Sequence, residues 1–267
     1  MSLYKESYNK DNHFKKNYLY LILVMGITDF KIKYDNSVLG YLWSLLKPLL
    51  MFGTLYLVFS VFVRWQVENY RLYLLLGIIL WNFFAEITLN SMVMLENKAS
   101  ILKKIYFPRW IIVVSSSLTS LFTLFLNLIV FFIFYAFSGM HPQMNIFLLL
   151  VFLAELYMLS LGLAFLLCAL YPKFRDVHHI WEVFVQLGFW ITPIIYPVAI
   201  VPARFHEIIF ANPIARIIQG SRNAVISNSN QFLTLNSQVI ILGAIGILFA
   251  FGIMFFNRLS PYFAEDL

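Results

Sequence analysis

Six stretches of this 267-residue chain are too apolar for water and close to the length that crosses a bilayer: 40–63, 70–94, 110–137, 146–170, 180–195 and 238–256. A hydrocarbon core about 30 Å thick takes roughly 20 residues rising 1.5 Å each. Only a helix can satisfy its own backbone hydrogen bonds on such a path, because no water is available there. The fifth stretch is the shortest and carries Glu182 near its start, so its inner boundary is the least defined. The pattern implies an all-α polytopic membrane protein with six transmembrane helices in a single domain over residues 1–267.

With 61% hydrophobic and 12% charged residues, nothing is left over for a sizeable soluble domain. The single cysteine, Cys168, lies within the fourth stretch, which excludes an intrachain disulfide or a multi-cysteine metal site. The first 17 residues are polar and no small-residue cleavage site follows the next apolar run, so no cleavable signal peptide is expected.

Charge placement sets the topology. Six spans put both termini on one side. Lys5, Lys10, Lys15, Lys16, Lys31, Lys33, Lys98, Lys103, Lys104, Arg109, Lys173, Arg175 and Arg258 fall on that side. Arg64, Arg71, Arg204, Arg216 and Arg222 fall on the other. Thirteen cations against five place both termini in the cytoplasm of a cell membrane. The net charge of +6 then reflects topology and anionic lipid, not nucleic acid.

Before the first span, residues 14–34 hold an apolar run of about ten residues, too short to cross. Leu19, Ile22, Leu23, Ile27, Phe30 and Tyr34 recur at helical spacing, which predicts an amphipathic helix lying in the headgroup region. Within the first span Pro48 removes a backbone donor, and Lys47 sits about two turns inside the boundary, where it can snorkel to phosphates. Glu86 in the second span must face protein or a water-filled path, or be protonated.

The loop after the second span, SMVMLENKASILKKIYFPR, has Glu96 early and Lys103 and Lys104 late, an order that suits a short helix. Its Ile101, Leu102, Ile105 and Tyr106 have no role in a merely solvated loop, which points to docking of a cytoplasmic partner. His178 and His179 are adjacent and point to different helix faces, which argues against a two-histidine metal site. No catalytic or metal-binding set is expected elsewhere. After the fifth span, Pro193, Pro197, Pro202 and Pro213 prohibit one continuous helix, yet the sequence between them is apolar. Short re-entrant helices over 196–235 fit that combination.

LGYLWSLLKPLL, WNFFAE, ENKASILKKIYFPR, FRDVHHI and FWITPIIYP…VP…NPIARIIQGSR occur in that order across essentially the whole chain. Together they resemble the permease subunits of ABC-2 type exporters of lipid-linked polysaccharides. The resemblance implies a dimer of two copies of this chain with two copies of a separate ABC ATPase. It implies ATP and magnesium on that partner, and no cofactor on this chain. The cargo it implies is a glycan on a polyprenyl (undecaprenyl) pyrophosphate: O-antigen first, then teichoic acid or capsule. It also implies a coupling helix at about 96–104, with Glu96, Lys98, Ile101, Leu102, Lys103 and Lys104 meeting the ATPase.

Independently, the chain has no phosphate-binding loop of the G-x-x-x-x-G-K-[ST] type, so energy for export has to come from a partner or a gradient. A path between two copies, formed by the first and fifth spans, would be lined by Tyr41, Trp43, Tyr56, Phe59, Phe62, Phe189, Trp190 and Tyr196, whose rings suit the apolar faces of sugars. Lys47 is the candidate for the lipid phosphate. Three other readings compete with this one. An ABC-2 exporter of another lipid or drug would look similar, an ion-driven transporter would use Glu86 or Glu155, and a membrane enzyme would need a carboxylate or histidine cluster near one leaflet.

Overall fold

The computed structural model describes residues 2–35, 37–63, 69–98, 107–140, 144–226 and 235–263. Every regular element among them is helical: α1 (Ser2–Tyr34), α2 (Trp43–Tyr56), α3 (Tyr70–Asn97), α4 (Trp110–Phe137), α5 (Leu148–Leu170), α6 (Asp176–Ile191), α7 (His206–Ala211), α8 (Pro213–Val225) and α9 (Leu235–Leu259). A 3-10 turn, Gly40–Leu42, leads into α2, and a π turn, Leu57–Phe62, extends it.

Among the described residues five helices are long and apolar enough to cross a membrane: Gly40–Phe62, Tyr70–Asn97, Trp110–Phe137, Asn145–Leu170 and Gln238–Leu259. The expected fifth span corresponds to α6, which has only 16 residues and so a length of about 24 Å. It stops at Thr192, whose extended backbone (φ −73°, ψ 137°) is what a following proline imposes. The expected coupling helix also starts differently. Glu96 lies in the last turn of α3, which runs to Asn97, and residues 99–106 are outside the described set.

Helix α3 is the centre of the bundle, with 78% of its apolar window buried, whereas the first candidate span is 11% buried. The hydrophobic effect does not drive such packing within lipid, so close approach depends on small residues and hydroxyls. Helix α4 buries Ser115, Ser116, Ser117, Thr119, Ser120, Thr123 and Asn127. Ser115, Ser116 and Ser117 each donate to the carbonyl three residues earlier, which satisfies the hydroxyl without a partner helix. Ser116 also pairs with Ser91 of α3 at 3.2 Å, and Ser117 with Tyr157 of α5 at 2.9 Å. Gly26 lets α1 settle on α4, since a Cβ there would stand 3.0 Å from the Ser115 carbonyl oxygen. Helices α5 and α9 cross at Gly162 and Gly252 with the same economy of side chains.

The segment from Thr192 to α8 breaks where its prolines fall. Two 3-10 turns, Val198–Ile200 and Ala203–Phe205, precede α7, and Pro213 is the first residue of α8, where a missing N–H costs nothing. Asn212 caps α8 by accepting from the Ile214 backbone N–H at 3.0 Å. Helix α8 is buried along most of its length, with Gly220 against the Phe152 ring of α5.

Candidate functional site

Helices α1, α2, α3 and α4 enclose a cavity of about 660 Å³ near the end of the bundle where α1 packs. Among the described residues three charges reach it: Lys33 from α1, Lys47 from α2 and Glu86 from α3. Three amides join them. Asn82 and Asn90 lie one helical turn either side of Glu86, and Asn127 comes from α4. Trp43, Tyr34, Phe83 and Met51 complete an amphipathic wall.

The Lys33 ammonium donates to Glu86 Oε1 at 2.6 Å, and the Thr123 hydroxyl approaches the same oxygen at 3.4 Å. Burial disfavours the Lys33 cation, but the adjacent Glu86 carboxylate outweighs that penalty and raises the lysine's pKa above its ordinary value. Asn127 donates to the carbonyls of Thr123 and Ser44, at 2.8 and 3.2 Å, and so ties α2 to α4 below the cavity. Lys47 is exposed and makes no ion pair among the described residues. The expectation that Glu86 faces a polar path and not lipid agrees with this arrangement. A second carboxylate within an apolar helix, Glu155, is buried in α5, and its Oε2 has no hydrogen-bond partner among the described residues.

A second cavity, about 650 Å³, lies further along α2, α3 and α4, lined by Tyr56, Ser60, Tyr70, Arg71 and Phe134 among others. Aromatic rings run from the midpoint of α2 toward it. Phe52 stacks on Tyr56 at 5.7 Å, Tyr56 on Tyr70 at 6.3 Å and Tyr70 on Tyr73 at 6.3 Å. Arg222 of α8 closes the series over Tyr73.

The aromatics expected on the path divide. Trp43 lines the first cavity and Tyr56 the second. Tyr41 is half exposed but stacks on Phe30 of α1 at 5.2 Å. Phe62 and Trp190 are exposed, while Phe59 packs partly buried against the core. Phe189 is a correction. It is 6% exposed and set edge-on to Trp81, so it fastens α6 to α3 instead of lining a surface of this protomer. The Tyr196 hydroxyl donates to the Ile191 carbonyl.

The residues expected to meet a partner also divide. Lys98 is a correction, because its ammonium turns inward to Asp29 of α1 at 2.5 Å, with both side chains 9% exposed. Glu96 is exposed and accepts from the Tyr171 hydroxyl at 2.6 Å. Ile101, Leu102, Lys103 and Lys104 lie outside the described residues. One donor atom each of His178, His179 and Glu182 falls within 4.8 Å of the others, on a surface where His179 and Glu182 are exposed. The different-faces argument therefore does not keep these atoms apart.

Sequence reasoning missed Lys33, Asn82, Asn90 and Asn127 as cavity residues. The Asn82–Glu86–Asn90 repeat at four-residue spacing was the available signal, since three polar groups on one stripe of a membrane helix cannot face lipid cheaply.

The family model for the ABC-2 type transporter matches residues 20–226, a stretch that contains both cavities' principal residues. The chain belongs to the ABC-2 type transporter family. Two O-antigen export system permease proteins RfbA from Klebsiella pneumoniae are similar to this ABC-2 protein along nearly all of both chains. One is 31% and the other 32% identical over 250 residues, which is 92% of this chain and 95% of each relative. An O-antigen export system permease protein RfbA from Myxococcus xanthus is 26% identical over 179 residues, 67% of this chain and 69% of the relative.

Proposed function

We propose that this ABC-2 protein is the permease subunit of an ATP-driven exporter that moves an O-antigen polysaccharide, carried on a polyprenyl pyrophosphate, from the cytoplasmic face across the cell membrane. The observation that carries this reading is identity of 31–32% with O-antigen export permeases over 92% of the chain. Multi-pass membrane placement follows from the family and the five apolar helices. Two copies of this chain with two copies of an ABC ATPase form the working unit, and ATP and magnesium reside on the ATPase. Both termini lie in the cytoplasm, α6 with the turn after it makes the sixth crossing, and α7 and α8 re-enter from the outer side. The burial of α8 along most of its length and the Asn212 cap on its first turn support that last point.

Within this unit Lys47 meets the lipid phosphate near the cytoplasmic leaflet. The exposed apolar and aromatic faces of α2 and α6 adjoin the second copy and the glycan. Helix α6 carries His179, Glu182 and Gln186 exposed along one side, and polar groups there favour a wet path over lipid. Residues about 96–104, apart from the inward-turned Lys98, dock the ATPase.

Reconstitution with the ATPase in liposomes tests the reading. Lipid-linked glycan should appear on the far side only with hydrolysable ATP. Transport that continues without any ATPase would assign the chain to gradient-driven transporters.

A further inference from the structure

We propose that the first cavity is an ion-exchange site, in which a diphosphate headgroup displaces the Glu86 carboxylate from Lys33 and is held between Lys33 and Lys47. The proposal rests on the export reading and deepens it by naming a second phosphate ligand and the group that holds its place when the site is empty.

Several features of the cavity support exchange over a fixed staple. Among the described residues two ion pairs hold α1 to α3 and its C-cap, and they differ in access. Asp29–Lys98 is closed off, with both side chains 9% exposed, whereas Lys33 and Glu86 retain 30% and 16% exposure and both line the cavity. An incoming anion can therefore reach Lys33 without unpacking α1. Lys47 lines the same cavity from α2 and has no anionic partner among the described residues, so a doubly charged ligand gains a cation that Glu86 does not use. The displaced carboxylate has a donor within reach, the Thr123 hydroxyl at 3.4 Å, whose single proton can turn to it from the Thr119 carbonyl at 3.2 Å. Asn82 and Asn90 stand one turn to either side and make no hydrogen bond among the described residues. Their amides also suit the hydroxyls of a sugar attached to the diphosphate. A volume of about 660 Å³ exceeds what one inorganic ion needs and fits a glycosyl diphosphate. The exposed apolar Leu42, in the turn that leads into α2, and Leu50, on α2 beside Lys47, give a hydrocarbon tail a surface to lie on and so favour a lipid over a free anion.

A staple and an exchange site respond oppositely to removal of Glu86. If the pair only fixes α1, Glu86→Gln and Lys33→Gln damage binding alike. If Glu86 competes with the ligand, Glu86→Gln tightens binding and Lys33→Gln weakens it.

The experiment measures binding of a polyprenyl diphosphate to the full permease–ATPase complex in nanodiscs, with inorganic pyrophosphate and the neutral polyprenol as parallel probes. Loss of one charge-assisted contact in Lys33→Gln or Lys47→Gln should weaken the lipid diphosphate about tenfold or more, and Glu86→Gln should tighten it about threefold or more. Lys33→Arg, which keeps the cation, should bind within about threefold of wild type. Glu86→Gln that weakens binding overturns the exchange. Pyrophosphate that binds as tightly as the lipid overturns the headgroup assignment. Wild-type binding untouched by all the variants removes this site while leaving the export reading intact. A wild-type complex that neither binds the lipid diphosphate nor exports glycan with ATP removes both.

Discussion

The guanidinium carbon of Arg222 stands 3.4 Å from the centre of the Tyr73 ring, and its Nε donates to the Tyr73 carbonyl at 3.1 Å. The same side chain, 1% exposed, donates to the carbonyls of Pro193 and Ile194 at 2.6 and 2.8 Å. The Tyr70 hydroxyl takes the Ile195 carbonyl at 3.0 Å, and the Tyr73 hydroxyl takes that of Tyr196 at 3.1 Å. Four consecutive carbonyls, left without helical donors where Pro193 ends α6, are thus satisfied by one arginine and two tyrosines. A buried arginine without a carboxylate is costly, but here the alternative is a row of buried unpaired acceptors.

Arg222→Lys therefore should not be conservative. Lysine lacks the planar fork that reaches three carbonyls at once and the flat face that stacks on Tyr73. Loss of these contacts should cost about 3 kcal/mol or more, read as a lower Tm of the detergent-purified protein. Gly77→Ala should reproduce the defect, because its Cβ would stand 2.4 Å from Arg222 Nη2. A wild-type Tm for both variants would show that the row of carbonyls has other donors.

The α5–α9 crossing makes a sharper packing prediction. A Cβ on Gly252 would lie 2.3 Å from the Gly162 carbonyl oxygen, and one on Gly162 would lie 2.9 Å from the Phe249 Cα. Backbone, unlike a flexible side chain, cannot swing away. Alanine at either position should destabilise by about 1–3 kcal/mol or more. Gly243→Ala meets nothing within 4 Å and should be neutral or stabilising by about 0.5–1 kcal/mol. Thermal scans of the three variants check the ordering.

These contacts show where sequence reading reaches its limit. Five of the six apolar runs fall on helices that, among the described residues, are long and apolar enough to cross a membrane, and the third expected span, 110–137, coincides with α4. Hydrophobic length is a local property that bilayer thickness imposes directly. Helix α1 begins far earlier than its apolar face, at Ser2, because no glycine or proline interrupts the polar residues ahead of Gly26. Lys98 and Phe189 were misread for a different reason. Each sits beside residues with a plausible outward role, and only the tertiary neighbours Asp29 and Trp81 turn them inward. Arg222 counted merely as an outer charge, since the carbonyls of Pro193 and Ile194 that need it lie 29 and 28 residues away.

Asp29 and Lys98 form a pair whose value lies in not being broken. Asp29→Asn should leave a cation unpaired in a site 9% exposed, at a cost of about 3–5 kcal/mol. Asp29→Asn combined with Lys98→Gln removes both charges and should regain part of that loss. Protein level and Tm would measure it, and a double variant no better than the single would mean the charges act independently.

Coupling to the ATPase should depend on the cations that remain after Lys98 is assigned to α1. Reversal of Lys103 and Lys104 to glutamate should leave ATP hydrolysis largely in place while export falls about tenfold, because a docking contact between charged surfaces is replaced by repulsion. Hydrolysis and export measured on the same reconstituted complex give the ratio. Unchanged coupling in the double variant would move the contact elsewhere on the chain.

The path itself should be aromatic but divided among sites. Trp43 borders the first cavity, Tyr56 borders the second, and Trp190 is 55% exposed on α6. A sugar ring stacked on such a side chain gains about 0.5–1.5 kcal/mol, so each alanine substitution should slow export about two- to tenfold at unchanged protein level. Trp43 and Tyr56 stand 13 residues apart along one helical span, about 20 Å, so their combined effect should approach the product of the single effects. Phe189→Ala is the contrasting case. Its ring is buried against Trp81, so the loss should appear in Tm and not in the rate per folded molecule. Surface glycan and membrane-inserted protein quantified on the same cells separate the two, and full export by the triple variant would remove aromatic stacking from the mechanism.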